Sequence, residues 1–202
     1  MPSRRPSQQS KAQSSVPARR TQAERRAGTQ AQVLASACRI FGEKGYAHTS
    51  LEEIAADCGL TIRPVYHYYG NKRELFAAVN AFMEQKIVDG LNTQTAEGDF
   101  LAGWQAFLAL CDDAGFRQIV LIDSPNILGR DRWINNDVMT TTANLLSRNM
   151  VKNSQQKELI VRMALGAMAE AALMIAAAEN PAALRRQATT LIKGLLEKFA
   201  SR

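Results

Sequence analysis

The chain has 202 residues, enough for one or two domains with a sizeable core, and its hydrophobic fraction of 46% is that of a soluble globular protein. Its three cysteines, Cys38, Cys58 and Cys111, show no paired spacing, which argues against a disulfide framework and favours a reduced cytoplasmic protein with buried thiols. The formal net charge of +6 lies almost wholly in residues 1–26, which hold seven basic groups against one acid.

Residues 1–20 form a polar N-terminal arm rich in Ser, Gln, Pro and Arg. Such a segment cannot bury enough apolar surface to offset its ordering entropy, so we expect it to be disordered in isolation. It also lacks the apolar stretch of a signal peptide. Its basic groups suit an arm that lies along DNA phosphates or enters a minor groove, and a solubilising tail or a misassigned start codon is the alternative.

The first predicted helix begins after Thr21, because Thr21 and Glu24 have the spacing of a capping box. Arg25 and Arg26 then fall in its first turns, where we expect them to contact DNA. Gly45 is expected to end the helix. Its inward face consists of apolar residues at helical spacing: Val33, Leu34, Ala37, Ile40 and Phe41.

Two short helices joined by a tight turn are predicted next. Ser50 and Glu53 form a second capping box, so a helix should begin at Leu51. Gly59 is placed to end that helix in the left-handed conformation. Thr61 can cap the following helix. This order of helix, glycine turn and helix is the outline of a helix-turn-helix, whose second helix enters the DNA major groove.

The second of these helices has more polar aromatic side chains than it can bury. Val65 and Tyr69 should face the interior, and Pro64 is tolerated because it lies in the first turn. Exposed hydroxyl and imidazole groups are common phosphate contacts, whereas burying them would need many hydrogen-bond partners. The residues left to point outward, or to lie at the edge, are Thr61, Ile62, Arg63, Tyr66, His67 and Tyr68.

Two basic residues have the clearest predicted roles in DNA binding. Arg63 lies where a base-edge contact would be made, and arginine to guanine is the commonest specific pairing. Lys72 follows the turn at Gly70 and Asn71 and could hold a phosphate. An ordinary helical hairpin with a solvated face is the alternative interpretation of the spacing.

Three motifs in this region resemble the N-terminal domain of the TetR family of bacterial transcriptional regulators. They are VLASACRIFGEKGY from Val33, TSLEEIAADCGL from Thr49 and VYHYYGNKRELF from Val65, in the family's order and at its separations. The resemblance implies an all-α homodimer with a three-helix DNA-binding domain and a larger domain for ligand binding and dimerisation. The DNA contacts that it implies are Thr49, Thr61, Ile62, Arg63, Pro64, Tyr66, His67, Tyr68 and Lys72. The chain departs from the family at 62–64, positions that vary with the operator.

The rest of the chain is also predicted to be helical, with no strand run or internal repeat. A polar break at 92–99 and a loop at 124–131, with Pro125 and Gly129, interrupt the helices. The domains are expected at 1–20 (arm), 21–71 (helix-turn-helix) and 72–202 (regulation and dimerisation). The resemblance implies that the first helix of the last domain transmits ligand binding to the DNA-reading helices. Helices are predicted over 72–91, 100–112, 116–123, 132–150, 156–178 and 182–200.

The last two helices are the predicted dimer interface. The first has many small side chains, which let helix axes approach closely, and more apolar surface than one neighbour would cover. Its apolar run, 163–178, has 16 residues and includes Glu170, short of the ~20 needed to cross a bilayer, so no membrane partner is expected. Burial within a monomer is the alternative. The interface candidates are Leu165, Met168, Ala169, Ala172, Leu173, Leu191 and Leu195.

A small-molecule pocket is predicted between the connecting helix and the middle helices. Its candidate residues are mainly apolar, which favours an apolar or weakly polar effector, although plain core packing is the alternative for each. Gln105 and Thr140 could supply polar anchors. The candidates are Trp104, Phe107, Phe116, Trp133, Asn136 and Met139.

An enzyme is not expected, because no catalytic triad or carboxylate pair stands out. The two histidines, His48 and His67, with Cys58 lack the spacing of a metal site, and no cofactor is expected. The sequence therefore predicts a cytoplasmic, homodimeric, ligand-responsive regulator, most simply a repressor, that binds a palindromic operator in double-stranded DNA. A helical protein-interaction adaptor without specific DNA binding is the alternative.

Overall fold

The structure is a computed structural model that describes residues 21–94, 100–129, 137–147 and 154–200. The predicted arm, most of the polar break and two pocket candidates, Trp133 and Asn136, lie outside these ranges. Within them all regular secondary structure is helical, which confirms the all-α prediction. The elements are α1 (Gln22–Lys44), α2 (Leu51–Asp57), α3 (Ile62–Tyr69), α4 (Lys72–Gln94), α5 (Phe100–Cys111), α6 (Ala114–Phe116), a π-helical segment (Arg117–Asp123), α7 (Ser124–Ile127), α8 (Asp137–Ser147), α9 (Ser154–Ala177) and α10 (Pro181–Ala200).

The first three helices and the start of α4 share one aromatic core. Phe41 of α1 and Phe76 of α4 are fully buried, and their ring centroids lie 5.1 Å apart in an edge-to-face arrangement. Tyr46, in the turn after α1, makes the same kind of contact with Phe76 at 5.1 Å. Edge-to-face pairs contribute beyond their buried area, so this cluster fixes how α4 leaves the helix-turn-helix.

The later helices form a second layer around α4 and α5. Trp104 of α5 is fully buried, and its indole N–H donates to the Thr189 hydroxyl of α10 at 2.9 Å. A buried indole needs such a partner, and this one connects the middle of the domain to its last helix. The helix α9 packs against α8 on one side and α10 on the other. The position of α4 is thus set by both layers.

The prediction of a loop at 124–131 is wrong for the first half of that range. Residues Ser124–Ile127 continue the helical path of α6 and the π-helical segment. Pro125 occupies the first turn of α7, directly after the π-helical segment. Gly129 has a φ of +88°, a left-handed conformation that suits glycine. The helix predicted at 132–150 is described only over Asp137–Ser147.

All three cysteines are free thiols, as the sequence indicated. Cys58 and Cys111 are buried and Cys38 is half-buried. Burial raises the pKa of Cys38 to about 11 and that of Cys111 to about 12, so both remain protonated at neutral pH. They act as small core residues.

The helix α9 is longer than its apolar run suggested. Over Glu158–Ala177 it has 20 residues and a mean hydropathy of 1.8, so length and composition alone would let it cross a membrane. Core helices of soluble proteins meet the same criterion. One third of the span is buried inside the subunit, where α9 packs against α8 and α10.

Candidate nucleic-acid interface

The turn between α2 and α3 is closed by a Schellman motif. Gly59 has a φ of +64°, as predicted, and its N–H donates to the Ala56 carbonyl at 2.9 Å. The N–H of Leu60 donates to the Ala55 carbonyl at 2.9 Å, the second bond of this motif. The Ser50 hydroxyl accepts from the Glu53 N–H at 3.1 Å, which begins α2 as expected.

Only half of the predicted capping box at α2 is present. The Glu53 carboxylate pairs with Lys44 at the end of α1 instead of returning to Ser50. At α1 both halves form, because Thr21 accepts from the Glu24 N–H at 3.2 Å and donates its own N–H to Glu24 at 2.7 Å. Arg25 and Arg26 therefore lie in the first two turns of α1, as predicted.

The helix α3 presents a polar outer face. Val65 is fully buried beneath it, whereas Arg63, Tyr66 and His67 are exposed. The Thr61 side chain makes no capping hydrogen bond, contrary to prediction, so its exposed hydroxyl remains able to meet a ligand. Of the residues predicted to point outward or to lie at the edge, Ile62 and Tyr68 are half-buried, and Ile62 packs against the core. Tyr69, predicted to face the interior, is also half-buried and packs against the core, and Pro64 is half-buried.

The first turn of α1 joins this face. The Arg26 Nη2 lies 3.5 Å from Nε2 of His67, across 41 residues of sequence. Farther along α1, the Gln30 carbonyl accepts from the Tyr69 hydroxyl at 3.1 Å. These contacts place a guanidinium beside the recognition helix, so α1 and α3 present one continuous basic and hydroxyl-bearing surface.

Two of the implied DNA contacts, Thr49 and Lys72, lie outside the exposed outer face of α3. Thr49 is only 3% exposed, and its hydroxyl donates to the Gly45 carbonyl at 2.9 Å. Its side chain is therefore engaged in ending α1 and is not available to a phosphate, so this prediction is wrong for the hydroxyl. Lys72 is half-buried, with its ammonium 4.3 Å from the centre of the Tyr46 ring. Burial lowers the pKa of Lys72, although the nearby Asp123 carboxylate acts in the opposite direction.

A polar network holds α2 against α1. The Ser36 hydroxyl donates to Asp57 at 2.5 Å, and the Arg39 guanidinium pairs with the same carboxylate. Arg39 also pairs with Glu43 at 3.0 Å. The Ser36 hydrogen bond, followed by that from Arg39, holds the pKa of Asp57 below its usual value. Asp57 is one of the residues that sequence reasoning missed, since its partners lie on another helix.

This network predicts a pH-dependent stability for the helix-turn-helix. Because the folded-state pKa of Asp57 is lowered, its contribution is present above the unfolded pKa of about 3.9 and is lost as pH falls through the folded value. Asp57→Asn should therefore be less stable than wild type at neutral pH, with a difference that shrinks in acid. Urea unfolding at about pH 7 and about pH 3 measures this. Glu52→Gln, an exposed position on α2, is the control, and a difference that grows in acid would contradict the assignment.

Two hydrogen bonds join the DNA-reading half to the regulatory half. The Tyr46 N–H donates to the Asp123 carboxylate at 2.7 Å, at the end of the π-helical segment. Nearby, the Arg73 guanidinium donates to the Ile127 carbonyl at 3.3 Å. Two earlier residues of the π-helical segment, Val120 and Leu121, line an internal cavity beside Trp104. The segment thus touches both the cavity and the turn that follows α1.

The internal cavity lies where the ligand pocket was predicted. Trp104 and Phe107 line it, with Ile87 and Leu91 of α4 on the opposite wall. Its volume is about 30 Å³, room for one or two waters. Thr142, 2% exposed, is a lining residue that the sequence did not suggest.

Other pocket candidates lie elsewhere. Phe116 lines an open groove beside α1, and Met139 lines an outer cleft between the π-helical segment and α9. Gln105 and Thr140 are exposed, so they do not supply polar groups to the cavity wall.

The predicted dimer residues divide between two faces of α9 and α10. Met168 and Ala172 are buried against the rest of the subunit, so the prediction that they meet a partner is wrong. Leu191 is 74% exposed, as an interface residue should be. The remaining candidates are half-buried: Leu165, Ala169, Leu173 and Leu195.

No group of three or more His, Cys, Asp or Glu side chains that could hold a metal ion occurs in the parts of the chain that the structure describes. His48 and His67 are both exposed and Cys58 is buried beneath α2, where its thiol donates to the Gln32 carbonyl at 3.6 Å. The fold and the surface of α1 and α3 together define a helix-turn-helix regulator with a helical regulatory domain.

Comparison with known proteins gives the family. A family model described as bacterial regulatory proteins of the tetR family matches residues 33–79, and one described as a tetracyclin repressor-like C-terminal domain matches residues 98–199, half of the chain. The chain belongs to the TetR family of transcriptional regulators and has its helix-turn-helix DNA-binding domain. Members of this family are soluble DNA-binding proteins that usually dimerise and respond to small-molecule effectors.

Individual relatives agree with this assignment. A TetR-family regulator from Pectobacterium atrosepticum is 27% identical, with a TM-score of 0.66 over 89% of this chain and 97% of that one. The HTH-type transcriptional repressor SCO4008 of Streptomyces coelicolor is 34% identical over 76 residues, and the HTH-type transcriptional regulator CymR of Pseudomonas putida is 31% identical over 81 residues. These alignments span 38% and 40% of the two relatives and of this chain.

Proposed function

We propose that this protein is a cytoplasmic homodimeric repressor that binds a palindromic operator through α3 and the first turn of α1. The observation that carries the proposal is the continuous outer surface in which Arg26 of α1 lies 3.5 Å from His67 of α3, beside exposed Arg63 and Tyr66. Basic and hydroxyl-bearing groups on adjoining helices are what phosphate positioning and base readout need. The relative SCO4008 is named as a repressor, which supports repression over activation.

The role that we propose for each residue on this surface follows from its side-chain chemistry. Arg63, in the first turn of α3, can offer two parallel N–H donors to a guanine edge. We expect Arg26 and the Tyr66 hydroxyl, both exposed, to contact phosphates beside the groove. Half-buried Ile62 and Pro64 shape the approach to the bases and can contact a thymine methyl group.

A salt titration separates this function from a protein-interaction adaptor. Duplexes selected by the purified protein from a random pool supply the probe, and fluorescence anisotropy measures the affinity. Raising salt from about 50 to about 200 mM should weaken binding by ~10³-fold or more if six or more phosphates are neutralised. Failure to enrich any duplex, or an affinity independent of salt, would favour the adaptor.

We further propose that an apolar or weakly polar effector releases the operator by enlarging the cavity beside Trp104. At about 30 Å³ the cavity is too small for an effector, so binding would have to widen it by displacing two of its walls, α4 and the π-helical segment. The first wall leads directly from the helix-turn-helix. The second ends at Asp123, which accepts from the Tyr46 N–H at 2.7 Å. Widening the cavity would therefore move α4 and Asp123, both of which hold the DNA-reading helices in position.

Effector release is tested by coupling two measurements. Compounds that raise the unfolding temperature are sought, and each is then titrated against the protein bound to its selected duplex. A true effector lowers DNA affinity, and by linkage the duplex lowers its affinity by the same factor. Asp123→Ala, which removes the acceptor of the Tyr46 N–H, should reduce that factor while leaving the effector's affinity for free protein nearly unchanged. Compounds that bind at the cavity without any effect on DNA affinity would count against the release mechanism.

A further inference from the structure

The outer face of α9 is apolar, exposed and carries one pair of opposite charges. Leu159, Met163 and Met174 are 58%, 52% and 54% exposed, an unusual density of large apolar side chains on one helix face. Gly166 lies at the middle of the face, and an added Cβ there would meet nothing within 4 Å in the subunit. An outer cleft of about 410 Å³, lined by Gly166 but by none of these three residues, borders this face between α9 and the π-helical segment with α7.

The two charges are arranged symmetrically about Gly166. Arg162 lies four residues before it and Glu170 four residues after it, on the same side of the helix, and both line the cleft. Arg162 has an exposed partner within the helix, Glu158 at 2.5 Å. Glu170 has no ion-pair or hydrogen-bond partner among the described residues. Covering this face with an ordinary apolar surface would bury an uncompensated carboxylate, at a high cost.

A second copy of the same helix supplies what this face lacks. We propose that α9 packs antiparallel against α9 of a second copy, with the two-fold axis passing at Gly166 and Arg162 paired with Glu170 of the partner subunit. This inference rests on the proposed homodimer and specifies its register. A two-fold axis perpendicular to the helix exchanges positions equally far before and after it, so a face with opposite charges at 162 and 170 is complementary to itself. Both charge pairs form at once.

The dimensions of two helices fit this register. Four residues correspond to ~6 Å along the helix axis, so both charge pairs would lie close to the crossing point, where the helices are nearest. The missing side chain at Gly166 lets the axes approach. Beyond the charge pairs, Leu159 then lies opposite Leu173 of the partner subunit. The exposed ion pair of Arg162 with Glu158 is of the kind worth only ~0.3–0.5 kcal/mol, so it does not hold Arg162 away from the partner.

Charge reversal tests the register. Arg162→Glu and Glu170→Arg each turn two attractions into two repulsions, so each variant should raise the dimer dissociation constant at least about tenfold. Mixed in equal amounts, the two variants should form a heterodimer, because every facing pair is then attractive. The double variant carrying both changes should recover the homodimer. Sedimentation equilibrium with one variant fluorescently labelled distinguishes these species, and Lys86→Glu and Asp89→Arg on the exposed face of α4 are the charge-matched controls.

A steric test does not depend on charge. Gly166→Leu meets open space within the subunit and should retain wild-type helix content by circular dichroism while losing the dimer. Gly28→Leu on α1, also with nothing within 4 Å, should remain a dimer. A wild-type protein that is monomeric at all concentrations would overturn the homodimer and the register together. A dimer that resists both charge reversals and Gly166→Leu, or single variants that do not associate on mixing, would overturn the register alone.

Discussion

Arg63→Ala is expected to remove discrimination at one base pair of each operator half-site, by ~1–3 kcal/mol, while affinity for unrelated duplex stays nearly unchanged. The exposed guanidinium lies in the first turn of α3, the part of a recognition helix that meets base edges. The measurement is anisotropy with the selected duplex and with its three single-base-pair variants at each position. A loss spread evenly over all sequences would assign Arg63 to the phosphate backbone.

Lys72→Ala is the contrasting variant for Arg63→Ala. Its ammonium lies over the Tyr46 ring, at the start of α4, and outside the outer face of α3. We expect this change to weaken binding to all duplexes alike and to lower the slope of affinity against salt by about one unit. If both substitutions left operator affinity unchanged, the proposed docking of α3 would be wrong.

The DNA-reading half was predictable because its signals are local. Thr21, Ser50 and Gly59 begin or end helices through bonds to residues within five positions, and the structure shows those bonds. The burial of Val65 beneath an exposed polar face follows from helical periodicity in the same way. The resemblance to the TetR family predicted the fold of the rest of the chain. Local signals there predicted only where the helices lie.

Contacts between distant segments were not predictable. The Tyr46 N–H meets Asp123 across 77 residues, and no sequence pattern connects an amide in a turn to a carboxylate at the end of a π-helical segment. Thr49 was expected at the DNA, but a polar side chain that ends a helix is buried when its hydroxyl finds a carbonyl nearby. Met168 was placed at the interface because both faces of α9 are apolar, and only the packing of α8 and α10 shows which face is covered.

Two glycines, Gly42 of α1 and Gly115 of α6, lie in close contact. A Cβ added at Gly42 of α1 would lie 2.9 Å from the Gly115 Cα of α6, closer than real Cβ atoms come to a backbone atom. Neither helix can yield by a side-chain rotation, since the obstacle is backbone. The two glycines therefore set the distance between α1 and the π-helical segment, and with it the hydrogen bond from Tyr46 to Asp123.

Gly42→Ala and Gly28→Ala should consequently have opposite effects on stability although both lie within α1. At Gly28 the added methyl group meets nothing within 4 Å, so the helix gains ~1 kcal/mol from the better propensity of alanine. At Gly42 the same gain is opposed by overpacking of ~1–3 kcal/mol, which should leave the protein less stable than wild type by up to ~2 kcal/mol. Calorimetry should therefore show the unfolding temperature rise for Gly28→Ala and fall for Gly42→Ala, by ~2–4 °C per kcal/mol.

The Gly42→Ala variant also separates stability from communication between the two halves. If α1 is pushed away from α6, the Tyr46 amide loses Asp123, and effector binding should change operator affinity by a smaller factor than in wild type. Combining Gly42→Ala with Asp123→Ala should then lower that factor little further, because both changes break the same contact. Additive losses in the double variant would mean that α4 alone carries the signal, with the glycine pair serving only to pack the two halves together.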